Sequence, residues 1–406
     1  MAKNQYVTRI RSDHADLWRG KLPLLQTLDI ELTERCNNNC IHCSINLPAD
    51  NQLARNKELS PAKIKDVLKE AAALGCMKVR FTGGEPLLRE DFEALYLFAR
   101  QLGLTVLLFT NATLISARLS DIFSHIPPLE KIEITVYGMN KTSYEAVTRT
   151  PGSFEAAFRG INLLEKKKIP FVVKSAILPP NINDIKAFET WAATIPWMEG
   201  PPSYAMFFDL RSRHDSTEKN RRIKKLRLSP ENGLKVLTRK RNEYVRGLKA
   251  FSQQFMAPPG FRLFTCSAGK GSGCLDAYGF FQPCLLLRHP QTVYDLQSGS
   301  LRDALGRFFP AVRKIKATDS DYINQCSQCF LAGLCDQCPA KSWIEHGALD
   351  RPVEYLCEIA HTQARYLGLL ENNEVAWQVK DWRERIKTFI GKDFQCQAGI
   401  EKNSCR

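Results

Sequence analysis

The sequence lacks any apolar run long enough to cross a lipid bilayer, so we do not expect a membrane-spanning protein. Residues 1–18 are polar and charged, which excludes a secretory signal in that stretch. Internal repeats and low-complexity segments are absent, which excludes a solenoid or a long disordered tract. The sequence is therefore typical of a globular cytoplasmic protein, and its 406 residues allow about two or three domains.

Cysteine, in contrast, is not scarce, since the chain contains 14 of them. Disulfides form mainly in secreted proteins, so many cysteines in a chain without a signal sequence indicate metal ligation instead. We accordingly expect a reducing compartment and at least one metal centre.

The formal net charge is +14, and much of the excess lies in basic stretches at 166–168, 219–227 and 239–241. Such stretches fit either an acidic partner or faces that are simply solvated. No aromatic residues interleave with the stretch at 219–227, as a surface that stacks nucleic-acid bases would require. We favour solvated faces and do not expect nucleic acid as a partner, while an acidic peptide stays open.

Strand-like and helix-like stretches alternate from Leu28 to Phe208. Strands are predicted at 28–32, 77–81, 105–110, 131–136, 171–176 and 204–208. Helices are predicted at 61–74, 90–102, 113–123, 154–168 and 184–194. Six βα units imply a parallel sheet with right-handed crossovers and are too few for a closed eight-stranded barrel. We predict an α/β fold that starts with a partial, open (β/α)6 barrel.

Three cysteines, Cys36, Cys40 and Cys43, follow the first predicted strand with the spacing C-x3-C-x2-C. Three thiolates on one short loop suit a soft metal or an iron–sulfur cluster. A [4Fe–4S] cube needs four ligands, so this loop would leave one iron open for an external ligand. A three-cysteine zinc site and reduced structural thiols are the alternatives.

Loops with polar or glycine residues follow the next three strands, at 83–86 (Gly-Gly-Glu-Pro), at 110–111 (Thr-Asn) and at Gly138. Glycines there would let the backbone approach a ligand and expose its amides. Because the carboxyl ends of parallel strands meet at one edge of a sheet, we expect these loops and the cysteine loop to form one active site.

A second set of cysteines lies in the C-terminal region: Cys266, Cys274, Cys284, Cys326, Cys329, Cys335, Cys338 and Cys357. A zinc ribbon is the simple alternative, but it usually has about 15–20 residues between its two C-x2-C pairs. Here five residues separate the two pairs. Residues 263–360 have only short apolar stretches, so we predict a small cysteine-rich α+β domain held by metal.

The cysteine loop followed by the Gly83–Pro86 loop resembles the cluster and cofactor motifs of the radical S-adenosylmethionine (radical SAM) family, whose fold is the partial barrel. The resemblance implies that Cys36, Cys40 and Cys43 bind a [4Fe–4S] cluster whose open iron binds S-adenosylmethionine. It implies cofactor contacts from His42, Gly83, Gly84, Glu85, Pro86, Asn111, Thr135 and Ser175, with Lys174 next to the last of these.

The implied roles differ along this set. The Gly83–Pro86 loop would hold the methionyl amino group, with the Glu85 carboxylate near that ammonium. His42 stands where the family usually carries an aromatic residue against the adenine, and Thr135 matches a hydroxyl near the ribose. Ala112 replaces a glycine that often follows the residue matching Asn111, which puts the local backbone shape in question.

The order and spacing of the second cysteine set resemble the SPASM extension of many peptide-modifying radical SAM enzymes. The resemblance implies two auxiliary [4Fe–4S] clusters, an outer one bound by Cys326, Cys329, Cys335 and Cys357 and an inner one bound by Cys266, Cys284 and Cys338. Cys274 either completes the inner set or leaves an open iron there. Of the other cysteines, Cys76 is expected to be a buried thiol, and Cys396 and Cys405 receive no role.

The resemblance implies an enzyme with three [4Fe–4S] clusters that reductively cleaves S-adenosylmethionine to a 5′-deoxyadenosyl radical. The radical would abstract a hydrogen from a ribosomally made peptide or protein, giving a cross-link or an oxidised side chain. An electron donor of flavodoxin or ferredoxin type is implied, and a separate leader-recognition protein is possible because only 35 residues precede Cys36.

Other functions stay open at this point. The main alternative is a small-molecule dehydrogenase or epimerase, and a second is an iron–sulfur protein that binds nucleic acid. Leu285 stands where sulfatase-maturing members carry an aspartate that acts as a base, so the sequence argues against that activity.

No general base can be named from the sequence. Asp209, Arg211, Arg213 and His214 follow the sixth predicted strand and are candidates by that position, although each could equally belong to a surface ion pair. The predicted domains are a lead-in at 1–27, the radical SAM partial barrel at 28–215, a basic helical connector at 216–262, the SPASM domain at 263–360 and a tail at 361–406.

Overall fold

The structure is a computed structural model that describes residues 25–391, so most of the predicted lead-in, Cys396 and Cys405 lie outside the described residues. Within them, the chain forms two compact units. The first comprises 25–227, 264–315 and 339–349, and the second comprises 228–263, 316–338 and 350–391. These units are divided at other places than the predicted domain boundaries, which stay a prediction.

All the β-strands belong to the first unit, among the residues described. They are β1 Thr27–Thr33, β2 Arg35–Cys36, β3 Leu47–Pro48, β4 Lys78–Gly83, β5 Thr105–Thr110, β6 Ile132–Thr135, β7 Phe171–Ala176, β8 Tyr204–Ala205, β9 Ser272–Leu275, β10 Phe280–Gln282 and β11 Tyr294–Asp295. Nine of them form one sheet with the order β11-β10-β9-β1-β4-β5-β6-β7-β8, and β2 and β3 form a separate pair.

The helices are numbered along the whole chain. Those of the first unit are α1 Gln52–Lys57, α2 Pro61–Ala73, α3 Phe92–Gln101, α4 Ala117–His125, α5 Lys141–Thr148, α6 Ser153–Lys166, α7 Ile185–Ala192, α8 Thr217–Leu226, α11 Leu301–Asp303, α12 Phe309–Val312 and α14 Pro339–His346. Those of the second unit are α9 Pro230–Leu237, α10 Arg241–Phe255, α13 Ser320–Asn324, α15 Glu354–Tyr366 and α16 Trp382–Ile390.

The six predicted barrel strands are β1, β4, β5, β6, β7 and β8, and they lie side by side in chain order, all parallel. The array does not close, which confirms the predicted open α/β architecture. β1 is buried along most of its length, as expected for a parallel strand covered on both faces. Helix α2 likewise buries Ile64, Val67, Leu68 and Ala71, the spacing of one helix face, and begins at Pro61 after the predicted cap Ser60.

Three further strands extend this sheet beyond β1. β9 pairs with β1 in parallel, from Thr27↔Ser272 to Ile30↔Leu275, while β10 and β11 continue in antiparallel fashion. The sequence prediction placed these residues in the cysteine-rich region at 263–360. In the structure they continue the sheet of the first unit.

Some local predictions differ from the structure. The sixth barrel strand was predicted at 204–208, and β8 covers only Tyr204–Ala205. Helix α4 begins at Ala117 instead of Thr113, because Ser116 caps it by accepting from the Leu119 amide at 3.1 Å. Helix α5 was not predicted; it starts at the cap Asn140, whose side chain accepts from the Ser143 amide at 3.0 Å.

The second unit has its own apolar core. Its buried members come from the end of α10, from the 3₁₀ turn at Phe330–Gly333 and the residue after it, from α15, from the segment that leads to α16 and from α16 itself: Met256, Phe330, Leu331, Leu334, Ala360, Ala364, Leu369, Leu370, Ala376 and Ile386. Cys329 and Cys335 pack against this core.

Candidate metal centre

The loop that carries the first three cysteines is closed at its base by the short β2–β3 pair. Cys36 lies opposite Pro48 in this pair, and the Leu47 amide donates to the Glu34 carbonyl at 2.8 Å. The loop therefore begins and ends at fixed points directly after β1.

The tip of the loop is held by the end of helix α5. The last carbonyls of a helix have no partner within it. Here the Asn39 amide donates to the Thr148 carbonyl at 2.9 Å, and the Ile41 amide donates to the Val147 carbonyl at 3.0 Å. A helix that the sequence prediction missed thus positions the middle of the cysteine loop.

Each of the three sulfurs accepts a hydrogen bond from the protein. Backbone amides of Asn38 and Asn46 donate to the Sγ atoms of Cys36 and Cys43, both at 3.4 Å. The Tyr137 hydroxyl hydrogen-bonds the Cys40 thiol. Such bonds favour the thiolate form that binds metal, and they tune the potential of a cluster.

Burial opposes the thiolate in the absence of metal. It raises the pKa of Cys36 to about 12 and that of Cys40 well above its ordinary range, and the neighbouring thiols act in the same direction. Metal binding at this loop must therefore release protons from buried thiols.

Gly83 and Gly84 lie directly against the strand that leads into the cysteine loop. Gly83 has φ of 131°, and a Cβ atom on it would lie 2.1 Å from the Thr33 carbonyl oxygen. A Cβ atom on Gly84 would lie 2.1 Å from the Arg35 carbonyl oxygen. The Gly84 and Glu85 amides donate to these same carbonyls, at 2.6 and 2.9 Å. The Gly84 amide, which we expected to be exposed, is thus already bonded to the end of β1, and the Glu85 amide is bonded to β2.

The Glu85 carboxylate is almost fully buried and connects this loop to the end of β5. It accepts from the Thr110 hydroxyl at 2.7 Å, from the Asn111 amide at 2.8 Å and from the Leu87 amide at 3.2 Å. Burial raises its pKa to about 7 in spite of these donors. Three internal donors already hold the carboxylate that we predicted beside an ammonium group.

Asn111 approaches the cysteine loop from β5. Its Nδ2 atom lies 3.0 Å from Asn37 Oδ1 and 3.8 Å from Cys36 Sγ. Ala112, which stands where the resemblance expects glycine, has a left-handed conformation with φ of 62°. A residue with a Cβ atom thus occupies a backbone conformation that favours glycine.

One cavity of about 180 Å³, here called the strand-end cavity, unites most of the predicted residues. Its lining includes Cys36, Cys40, Cys43, Gly83, Gly84, Glu85, Asn111, Thr135 and Lys174. Ser175 is not part of that lining, because neighbouring residues of β7 point to opposite faces and Lys174 takes the inner one. Pro86 starts the 3₁₀ turn beyond the loop.

His42 packs between two aromatic rings, with centroid distances of 5.3 Å to Tyr137 and 5.0 Å to Phe208. Burial lowers its pKa to about 4, so the imidazole is neutral near pH 7. Its Nδ1 atom and both amide atoms of Asn38 are buried without a protein partner. Such orphaned polar atoms beside three thiols fit a site that receives a polar cofactor.

Among residues 25–391, no three His, Cys, Asp or Glu side chains converge closely enough to hold a single metal ion.

The four candidates after the sixth strand are all held by protein partners. Arg211 is almost completely buried, and its Nε and Nη2 atoms donate to the two carboxylate oxygens of Asp215 at 2.5 and 2.6 Å. Asp209 pairs with Lys341, and His214 Nε2 lies 2.9 Å from the Trp343 carbonyl oxygen. None of these groups lines the strand-end cavity. These contacts favour the alternative of ion pairs over a general base.

Arg213 belongs to a buried charge network that the sequence analysis missed. Arg213 forms ion pairs with Glu34 and, at 2.8 Å, with Asp276. Arg288 Nη2 donates to both carboxylate oxygens of Glu31, at 2.6 and 2.7 Å. Burial raises the pKa of the Glu31 carboxyl, although the positive charge of Arg288 acts in the opposite direction. Its members are up to 257 residues apart in sequence, so no local pattern could have indicated it.

The cysteines of the predicted inner set do not share one unit. In the first unit, Cys266 and Cys284 are close enough for the charge of one to raise the pKa of the other. Cys274 lies in β9 opposite Asp29 and Gln282, fully buried, with Glu31 among its neighbouring charges. Cys338 belongs to the second unit, and the inner ligand set stays a prediction. Cys76 is a buried thiol, as predicted.

The four cysteines of the predicted outer set all lie in the second unit, near one another. The charges of Cys329 and Cys357 raise the pKa of the Cys326 thiol. The charges of all three other cysteines raise the pKa of the Cys335 thiol. The backbone amides of Leu331 and Gln337 hydrogen-bond the sulfurs of Cys329 and Cys335 respectively. His361 Nδ1 lies 3.5 Å from Cys357 Sγ.

No helix of the described chain combines the length and hydropathy that crossing a bilayer requires.

Comparison with known proteins finds a family match over part of the chain. Residues 30–192 match the model of the radical SAM superfamily. The chain is 30% identical over 160 residues to an AdoMet-dependent heme synthase of Methanosarcina barkeri, covering 39% of this chain and 45% of that protein, so it spans less than half of that relative. An AdoMet-dependent heme synthase of Oleidesulfovibrio alaskensis is 23% identical over 357 residues, 80% of this chain and 85% of that protein.

Among solved structures, Streptococcus suis SuiB bound to S-adenosylmethionine superposes with a TM-score of 0.59 at 16% identity, covering 84% of this chain and 80% of SuiB. SuiB bound to its precursor peptide SuiA gives a TM-score of 0.56, also at 16% identity, over 85% of this chain and 79% of SuiB. At this identity the likeness concerns the fold. The family match covers residues 30–192, and the likeness in fold extends over a larger part of the chain.

Proposed function

We propose that the chain is a radical SAM enzyme in which Cys36, Cys40 and Cys43 hold a [4Fe–4S] cluster and S-adenosylmethionine binds beside Gly83–Glu85. The observation that carries this proposal is the strand-end cavity, whose lining contains all three cysteines together with the Gly-Gly-Glu loop, Asn111 and Thr135. These residues come from four neighbouring strands and converge only through the fold.

When bound, the reduced cluster and S-adenosylmethionine supply a carbon-centred 5′-deoxyadenosyl radical. The chain positions the site for this chemistry. Amides and the Tyr137 hydroxyl support the three sulfurs, and Glu85 fixes the glycine loop to β5. His42 is neutral and packs against Tyr137 and Phe208, and it does not line the strand-end cavity, so its contact with the adenine stays a prediction.

The proposed substrate is a ribosomally made peptide or protein, modified by a cross-link or by oxidation of a side chain. The likeness in fold to SuiB, which was solved with a precursor peptide, supports this class.

Two auxiliary [4Fe–4S] clusters are proposed in addition, with Cys326, Cys329, Cys335 and Cys357 at the outer one and Cys266, Cys284 and Cys338 at the inner one. Cys274 is a possible fourth ligand of the inner cluster. A flavodoxin or ferredoxin would supply electrons, and a separate protein could recognise a leader segment.

A second candidate is a small-molecule radical SAM enzyme. It is favoured by the curated relatives, which include heme synthases, one of them aligned over 80% of this chain.

The proposal is tested by reductive cleavage of S-adenosylmethionine. Anaerobic protein with reconstituted clusters, reduced with dithionite, should form 5′-deoxyadenosine, and it should hold about twelve irons if all three cubes are present. Changing Cys36, Cys40 and Cys43 together to Ala should abolish the product. Cys76→Ala, a buried thiol outside the site, is the matched control and should keep it. No product from the iron-replete wild type would refute the proposal.

Substrate class is tested separately. The peptides encoded beside the gene and the small molecules of neighbouring pathways are incubated with enzyme, reductant and S-adenosylmethionine, and both are examined by mass spectrometry. A mass change in a peptide supports the first candidate, and one confined to a small molecule supports the second.

A further inference from the structure

The three cysteines line a second cavity besides the strand-end cavity. This basic cavity measures about 480 Å³ and is bounded by the cysteine loop and by Arg149, Lys219 and Arg222. The glycine loop, Asn111 and Thr135 line the strand-end cavity but not this one. The cysteine loop is thus the common wall of two cavities with different linings.

The cations of the basic cavity are held by the fold. Lys219 Nζ donates to the carbonyl and side-chain oxygens of Asn46, at 2.7 and 3.2 Å, which fixes one ammonium group against the cysteine loop. Arg149 ends helix α5, the helix that also anchors the loop tip, and has φ of 54°. Positive charge therefore stands on two sides of the loop.

Helix α8 extends this charge over the surface. It contains five cations and one carboxylate, Glu218, which pairs with Arg221 at 2.6 Å and with Arg222 at 3.4 Å. Its only buried residue is Ile223, which packs in the apolar cluster that includes Phe208. One apolar residue attaches the helix, and Arg221, Arg222, Lys224 and Lys225 are exposed.

We propose that this basic surface, formed by Arg149, Lys219, Arg221, Arg222 and Lys225, docks a small acidic electron-carrier protein. The carrier gives up one electron and the cluster held by the cysteine loop gains it, while no covalent bond forms or breaks. The inference rests on the proposed function and adds the place of electron entry.

Two physical arguments favour this face. Electron tunnelling falls steeply with distance, so the carrier must come close to the cysteines, and the basic cavity reaches all three of them. It does so without occupying the strand-end cavity, where S-adenosylmethionine is proposed to bind. The charge of the surface then attracts an acidic carrier and orients its approach.

The test compares two reductants. The variant R221E/K225E changes two exposed residues of α8 that do not line either cavity. K166E/K186E carries the same charge change on exposed residues of α6 and α7 and is the matched control. Formation of 5′-deoxyadenosine is measured with dithionite and with a reduced acidic flavodoxin, at several salt concentrations. Binding of the same flavodoxin to each protein is measured by calorimetry, and R221E/K225E should bind it about tenfold more weakly than wild type and the control.

With dithionite, all three proteins should react alike. With flavodoxin, R221E/K225E should have a kcat/KM roughly tenfold lower than wild type and the control. Raising the salt concentration should slow wild type and have little effect on the variant. Equal flavodoxin rates in all proteins, or an equal loss in the control, would overturn the inference.

Two other results have distinct meanings. If the wild type makes no 5′-deoxyadenosine with dithionite, the proposed function itself fails. If R221E/K225E keeps its flavodoxin rate but no longer binds an acidic substrate peptide, the surface serves the substrate and the inference is wrong.

Discussion

Ala112 has a left-handed backbone conformation that is unfavourable for a residue with a Cβ atom. Its φ of 62° lies in the left-handed region, which costs a residue with a Cβ atom about 1–2 kcal/mol. Its amide is held by the Thr110 hydroxyl at 3.0 Å, and its carbonyl oxygen faces Gly160, where a Cβ atom would lie 2.1 Å away. The surroundings thus fix the turn that a glycine would adopt freely.

Ala112→Gly should change stability by less than about 1 kcal/mol, because the relief of strain is offset by the loss of a buried methyl group and by the greater freedom of glycine in the unfolded chain. Ala193→Gly, at an exposed site with φ of −67°, is the control and should destabilise by about 0.5–1 kcal/mol. Thermal unfolding of both variants measures the difference. A loss of about 2 kcal/mol at position 112, as expected for a buried alanine without backbone strain, would contradict the strain.

Glu85 predicts a dependence of stability on pH. Its pKa in the folded protein is raised by burial from 4.5 to about 7, so the folded state holds the proton more tightly than the unfolded state. The stability gained in this way is complete below the ordinary pKa and is lost as pH rises to about 7. Glu85→Gln has no such proton to lose.

Relative to wild type, Glu85→Gln should gain roughly 3 kcal/mol in unfolding free energy between about pH 5 and about pH 8. The measurement is thermal unfolding of cluster-loaded protein without S-adenosylmethionine. Glu90→Gln, on an exposed side chain that pairs with Arg55, controls for the loss of one carboxylate. A constant difference between wild type and Glu85→Gln over this range would disprove the raised pKa.

At the scale of elements, helix α5 links local capping to the metal centre. The Asn140 side chain caps its start, and the carbonyls at its end hold the cysteine loop. Asn140→Ala should cost about 1 kcal/mol and loosen that anchorage. In the presence of a chelator, Asn140→Ala should lose its ability to cleave S-adenosylmethionine roughly fivefold faster than wild type.

The control is Ser229→Ala, which removes the cap of α9 in the second unit. It should cost a similar free energy while leaving the chelation rate unchanged. Equal rates for Asn140→Ala and wild type would mean that α5 does not support the loop.

Helix α15 explains the hydrogen bond at Cys357. A cysteine inside a helix is surrounded by amides that already donate within the helix, so its sulfur needs a side-chain donor. His361, one turn later, accepts from the Ala376 amide at Nε2, 3.1 Å away, so its proton lies on Nδ1. Nδ1 then donates to the Cys357 carbonyl at 2.8 Å and faces the sulfur at 3.5 Å.

Loss of this donor should lower the reduction potential of the proposed outer cluster, because an N–H group beside a sulfur stabilises the more negative, reduced state. His361→Phe is compared with Trp377→Phe, which changes the ring next to His361 and keeps the donor. Redox titration followed by electron paramagnetic resonance (EPR) gives the potentials. An unchanged potential in an iron-replete His361→Phe protein would refute this role.

At the scale of the whole molecule, the sequence predicted what depends on local pattern. All six barrel strands and their order follow from alternation and spacing, and β5 and β7 have the predicted bounds. The addition of β9 to the sheet did not follow, because its pairing with β1 joins residues that are far apart in the chain. The same holds for the ion pair of Arg288 with Glu31.

The site divides in the same way. The order of the strands predicted that the cysteine loop, the glycine loop and Asn111 lie at one edge of the sheet, where they line the strand-end cavity. The cofactor contacts were implied by the resemblance, and three of those residues, His42, Pro86 and Ser175, do not line this cavity. The sequence could not predict the hydrogen bonds that tie Glu85 to Thr110 or the loop tip to α5, because these depend on how neighbouring strands and helices pack. It also could not show which of two adjacent residues, Lys174 or Ser175, faces the cavity.

The most direct test is the EPR spectrum of the anaerobic, dithionite-reduced protein before and after addition of S-adenosylmethionine. If the cube at Cys36, Cys40 and Cys43 has an open iron, the cofactor should change its signal, and the change should vanish when these three cysteines are replaced by Ala. A reduced, iron-replete protein whose spectrum is identical with and without S-adenosylmethionine would contradict the account.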